Sequence, residues 1–213
     1  KLWEECQRKW AFRYYYKLPE PTTPKWKSVG SAFALIRAKI DAGQAWEIPD
    51  DVTDEIDRIR LRAVMRGYAR LPRLAYKNEE QLFKLLPGVP GLYLMGYLDG
   101  IAETRKTIYE WKYAADPSSY NTLSMQIQGG GYFYLVPEAD YLMVCVARKP
   151  KQKPNKGENI ADFETRLNDL IEGDMGYWFQ FKQFLRAEFD MGLILDQLER
   201  RWRETEIAIS ESP

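Results

Sequence analysis

Within "LDGIAETRKTIYEWKY" (98–113), two short apolar runs flank a polar turn, and those runs carry Asp99, Glu110 and Lys112. On a strand, Glu110 and Lys112 project from one face while Trp111 points to the other. Folding the preceding run back over a turn centred near Thr104 and Arg105 sets Asp99 almost opposite Glu110, with Cβ atoms ~5 Å apart. Two carboxylates that close repel unless one takes up a proton or a cation lies between them. Carboxylate oxygens suit Mg²⁺ or Mn²⁺, hard cations that keep several waters and also accept phosphate oxygens. Such a cation makes a nucleophile of water near neutral pH and offsets charge on a phosphodiester under attack. Lys112 would orient that water or stabilise the developing charge. The competing reading is a surface hairpin with an ordinary pairing of Glu110 and Lys112, because E-x-K is a common tripeptide.

A second group lies just downstream. In "QIQGGGYFY" (126–134), Gln128 and Tyr132 are four apart and share a helix face, on a segment that follows the E-x-K strand directly. Gly129, Gly130 and Gly131 each cost about 1 kcal/mol relative to Ala inside a helix. Close approach of the helix to the sheet, or to a substrate backbone, would compensate, and would bring the Gln128 amide and Tyr132 hydroxyl to the carboxylates. The alternative is a glycine loop cradling phosphate, although no Lys-Ser/Thr follows as a nucleotide loop requires.

The elements that must hold these groups are legible from periodicity. Trp3, Cys6, Trp10 and Tyr14 predict an amphipathic helix over 2–16 with Arg8, Lys9 and Arg13 off its apolar stripe. Val29, Phe33, Ile36 and Ile40 predict a second helix ended by Gly43, and Val52, Ile56, Ile59 and Ala63 a third, running to about Pro72. "EQLFKLL", "LYLMGYLDGIAE" and "TIYEWKYA" then read as strands, followed by the glycine-bearing helix and an apolar strand, "DYLMVCVARK". A helix over 160–171, a strand-like "YWFQFKQFL" and a final helix carrying Met191, Leu195, Leu198 and Trp202 complete the chain. The 213 residues, 45% of them apolar, suit a single domain: a mainly helical part over 1–78, a core over 79–148, and a basic loop with a C-terminal extension over 149–213.

Composition excludes several chemistries. There is no histidine, and Cys6 and Cys145 are the only cysteines. Zinc sites of cysteine and histidine, iron-sulfur clusters and histidine-based triads are therefore ruled out. The net charge of zero argues against a protein that coats nucleic acid through bulk positive charge. No apolar run approaches a membrane span, so a cytoplasmic protein without a membrane partner is expected.

The motifs G-x-x-D in "GYLD" (96–99), E-x-K in "EWK" (110–112) and Q-x-x-x-Y in "QGGGY" (128–132) resemble the PD-(D/E)XK nuclease superfamily, in the branch of the RecB nuclease domain and related phage exonucleases. "CQRKWAFRYYYKL" resembles that branch's first helix, "GSAFA" (30–34) its G-x-x-x-H helix, and "FETRLNDLI" with "YWFQFKQFLRAEFD" the closing segment of phage members. The resemblance implies a restriction-endonuclease-like α/β core in the order αβββαβ, with an N-terminal helical segment and a C-terminal strand-helix extension. It implies that Asp99, Glu110 and the main-chain carbonyl of Trp111 bind Mg²⁺ or Mn²⁺, and that Lys112 is the catalytic lysine. Gln128 and Tyr132 would support the site and contact DNA, and Arg8, Lys9 and Arg13 would meet phosphates or form a solvated face. The expected activity is an exonuclease acting on DNA with free ends in recombination, repair or phage DNA processing, in the host cytoplasm if phage-encoded. A recombination protein and further copies of the chain are the expected partners. One departure stands out: the family's metal-binding histidine is replaced by Ala34, which raises the alternative of a catalytically impaired DNA-binding or scaffolding module.

Overall fold

The computed structural model describes residues 25–87 and 91–210. The helix predicted over 2–16 lies outside them. Two helices come first, α1 (Lys25–Asp41) and α2 (Glu55–Tyr68), then three strands, β1 (Tyr76–Leu85), β2 (Tyr93–Ala102) and β3 (Thr107–Ala114). Helix α3 (Thr122–Leu135) crosses over to β4 (Tyr141–Arg148). Helix α4 (Ile160–Gly173), the single turn α5 (Met175–Trp178), β5 (Phe179–Leu185) and α6 (Met191–Ser210) follow. The strands form one five-stranded sheet in the order β1-β2-β3-β4-β5. β3 and β4 pair in parallel and the other neighbours antiparallel.

A parallel pair needs a long crossover, and α3 supplies it. One face of the sheet packs against α1, α2 and α4 through Phe33, Ile36, Val64, Trp111, Cys145 and Phe163. The other packs against α3 and the start of α6 through Leu98, Ile108, Phe133, Leu142 and Ile194. The result is a mixed sheet flanked by helices, with the αβββαβ order running from α2 to β4, as in a restriction-endonuclease-like core.

Local chemistry fixes the boundaries. The Asp54 carboxylate accepts from the Asp57 amide at 2.9 Å and starts α2. Gly43, at φ 69°, closes the segment after α1. The strand-like run predicted from Tyr177 begins as strand only at Phe179, because Asp174 accepts from the Tyr177 amide at 3.0 Å and winds Met175–Trp178 into a helical turn. The Lys/Pro-rich loop over 149–156 is tied down: Arg60 Nε donates to the Gln152 carbonyl at 2.9 Å and Arg166 to that of Lys153 at 3.1 Å. Among the described residues, no helix is long and apolar enough to cross a membrane.

Candidate active site

β2 and β3 pair only at Gly100 with Tyr109 and Ile101 with Ile108. Arg105, at φ 57°, turns the chain between them where the turn was expected. One step beyond the paired residues, where the ladder would continue, the Asp99 carboxylate accepts from the Trp111 amide at 2.7 Å. A side chain thus takes the bond that a main-chain carbonyl would otherwise accept, and the two strands part there.

Glu110 lies on the α3 side of this opening and is 4% exposed, one of few buried charged residues. Its Oε2 accepts from the Tyr132 hydroxyl at 2.8 Å, and its Oε1 accepts from Gln128 Nε2 at 2.7 Å and from the Lys112 ammonium. Lys112 also donates to Gln128 Oε1 at 3.2 Å, and Gln128 Nε2 lies 2.8 Å from the Tyr132 hydroxyl. Asp99, Glu110, Lys112, Gln128 and Tyr132 therefore converge from β2, β3 and α3. Trp111 turns the other way, its ring edge-on to Tyr68 and Phe181.

Burial pushes the Glu110 carboxyl above the usual range; the nearby Lys112 charge opposes that and Asp99 adds to it. Burial, together with the Glu110 charge, likewise pushes the Tyr132 hydroxyl up, so it remains a donor. Cys145 is fully buried with its thiol pushed up by that burial, and packs as a small apolar residue.

The helix carrying Gln128 and Tyr132 is set close to its neighbours by its glycines. A Cβ on Gly129 would lie 2.6 Å from the Phe189 ring and 2.9 Å from Leu142, and one on Gly130 would lie 2.0 Å from Ile194. Close approach to the sheet and the C-terminal helix is thus the compensation for these residues, and the glycine-loop alternative is not the conformation found. The ends of the crossover are held by the C-terminal segment. Lys182 on β5 donates to the carbonyls of Pro117 and Tyr120 ahead of α3, at 2.6 and 2.9 Å. Arg186 donates to those of Phe133 and Pro137 at its end, at 3.1 and 3.0 Å.

Sequence reasoning missed a second cluster on the opposite side of Asp99. Arg37, on α1, is fully buried. It donates to Asp41 Oδ2 at 3.0 Å, to the Tyr76 hydroxyl at 2.9 Å and to the main-chain carbonyl of Asp99 at 3.4 Å. Tyr68 donates to Asp41 Oδ1 at 2.6 Å and Tyr76 donates to Asp41 Oδ2. Gly100 leaves room for the Tyr76 ring, which a Cβ would meet at 2.4 Å. The available signal was a charged pair at i and i+4 beside the apolar stripe of Phe33, Ile36 and Ile40. Asp41 is committed to this cluster, and Ala34 lies a helical turn before Arg37. Arg8, Lys9 and Arg13 lie outside the described residues.

Among the described residues, no three His, Cys, Asp or Glu side chains gather into a set that would hold a metal ion by themselves. Asp99 and Glu110 supply only carboxylate oxygens, the donor type that a hard divalent cation takes.

No protein-family model matches the chain, and no curated protein matches it. Among solved structures, it is similar to a phage-related exonuclease from Haemophilus somnus 129PT, at 22% identity over 91% of each chain with a TM-score of 0.42. It is also similar to SSO0001, at 14% identity over 100% of this chain and 89% of that one, with a TM-score of 0.40.

Proposed function

We propose that this chain is a metal-dependent DNA nuclease, more specifically an exonuclease that hydrolyses phosphodiester bonds from free ends during recombination, repair or phage DNA processing. The observation that supports this reading best is the buried Glu110 carboxylate, engaged at once by Lys112, Gln128 and Tyr132 beside Asp99. Asp99, Glu110 and the Trp111 carbonyl would hold Mg²⁺ or Mn²⁺, which supplies an acidified water and neutralises phosphate charge. Water adds to phosphorus, the P–O ester bond breaks, and the departing oxygen takes up a proton. The Lys112 ammonium, 22% exposed, would stabilise the charge that builds on the phosphate oxygens. Gln128 holds both Lys112 and Glu110, and Tyr132 fixes the orientation of the carboxylate.

End-labelled and internally labelled linear duplex DNA, incubated with Mg²⁺, with Mn²⁺ and with chelator, tests the proposal. Metal-dependent loss of DNA that disappears in Lys112→Ala supports it, and the order of label release gives the direction. No cleavage with either metal would favour the second reading, a binding module without chemistry, to which Ala34 points. Ala34→His then discriminates, since a large gain in cleavage would identify the alanine as the defect in a competent scaffold.

A further inference from the structure

The β1-β2 hairpin has one face packed on α3, through Leu82, Leu94 and the Gly96 position, and the other open. The open face carries Phe83, Leu85, Tyr93, Met95 and Tyr97, which are 60%, 49%, 60%, 50% and 63% exposed. The register makes them one surface: Leu85 pairs with Tyr93, Phe83 with Met95, and Gln81 with Tyr97. Gln81 Nε2 donates to the Tyr97 hydroxyl at 2.8 Å and lies 3.2 Å from the Met95 sulfur, so this surface is ordered. Five large apolar side chains in solvent form a contiguous patch of the kind that marks a binding surface.

The patch is adjacent in the chain to the candidate site. Tyr93, Met95 and Tyr97 alternate along β2, with about 7 Å between successive members, and Asp99 follows two residues after Tyr97. The Tyr97 carbonyl lies 3.3 Å from the Tyr132 hydroxyl that contacts Glu110. A chain with zero net charge cannot draw nucleic acid through its overall field, so local contacts have to supply the affinity. Aromatic faces do this for unpaired bases, whatever their sequence, because every base has a π-face to stack.

We propose that Phe83, Tyr93 and Tyr97, with Met95 between them, form a stacking platform that receives the unpaired bases of a single-stranded DNA end and leads its backbone toward Asp99. This rests on the nuclease reading for the identity of the site. The platform selects single-stranded segments, because bases paired in a duplex have no free faces to offer.

The test is anisotropy binding of labelled oligo-dT and of a blunt duplex, in chelator, at several salt concentrations. Removing the three rings together by Phe83→Ala, Tyr93→Ala and Tyr97→Ala weakens oligo-dT binding at least about tenfold, with the salt slope unchanged. Tyr93→Phe and Phe83→Tyr, which keep the rings, retain it, and duplex binding is unaffected. Oligo-dT binding that survives the triple substitution, or no oligo-dT binding by the unaltered protein, overturns the platform; Lys112-dependent cleavage of duplex in the same preparation would leave the nuclease reading standing. Conversely, ring-dependent oligo-dT binding with no cleavage of any DNA retains the platform and removes the nuclease. A dimer in sedimentation that the triple substitution dissociates would show that a second copy covers this face, and would also overturn the proposal.

Discussion

Two buried charge clusters meet at Asp99 and differ in how their charges are answered. On the α1 side, the carboxylate of Asp41 is met by Arg37, Tyr68 and Tyr76, and the guanidinium of Arg37 is wholly withdrawn from solvent. On the α3 side, Glu110 is equally withdrawn, but its cationic partner Lys112 remains partly in water. In the first cluster the partly exposed member is the anion, Asp41, at 17%, and its charge is answered by one guanidinium and two hydroxyls that hold α1 against β2. The second is open on one edge, and there the same interactions leave an ammonium able to meet an incoming anion. Burial alone therefore does not separate a strut from a reactive centre; the sign of the partly exposed charge does, an anion in the first cluster and a cation in the second.

Substitutions that break each cluster should act on different properties. The largest effect expected is on stability. Arg37→Leu leaves the largely buried Asp41 without its cation and costs about 3–5 kcal/mol in urea unfolding. Replacing Arg37 and Asp41 together by apolar residues recovers part of that loss, and failure to recover any would mean the cluster is more than a balanced pair. Next, Lys112→Ala lowers cleavage by about 10²–10³-fold while DNA binding and the urea midpoint stay near their original values. Equal loss of cleavage and binding would give Lys112 a structural role like that of Arg37. Gly130→Ala comes third: it drives a methyl into Ile194, costs about 1–3 kcal/mol, and lowers cleavage by displacing Gln128 and Tyr132.

The smallest effect concerns pH. Burial raises the carboxyl of Glu110 on folding, so the folded chain holds its proton more tightly than the unfolded chain does. Its contribution to stability is full below the unfolded value and is lost as pH rises through the folded one. Glu110→Gln should therefore gain melting temperature relative to the unaltered protein as pH increases from about 4.5. A difference that stays flat across that range would show that pairing with Lys112, rather than burial, dominates.

Much of this architecture was legible because its signals are local. β3 occupies the predicted 107–114, and Gln128 and Tyr132 share a helix face because four residues make about one turn. The cross-strand argument also brought Asp99 close enough to Glu110 for their charges to act on each other. It could not show that the Asp99 side chain would take the Trp111 amide and part the strands, since that depends on packing on both sides of the sheet. The Arg37 cluster was hidden for a related reason: Tyr68 and Tyr76 lie far from Arg37 in sequence, and a lone charge beside an apolar stripe looks like a solvated one. Aromatic strand residues usually signal burial, so the exposure of Phe83, Tyr93 and Tyr97 was not readable from residue type.

The absence of side chains at positions 129 and 130 has a consequence for how this protein can change over time. Ile194, Phe189 and Leu142 occupy the volume that two methyl groups would need. Among descendants of this chain, a larger residue at 130 should arrive only after a smaller one at 194, and position 129 should trade volume with 189 in the same order. The C-terminal helix would then be under selection for the placement of two side chains carried by another helix.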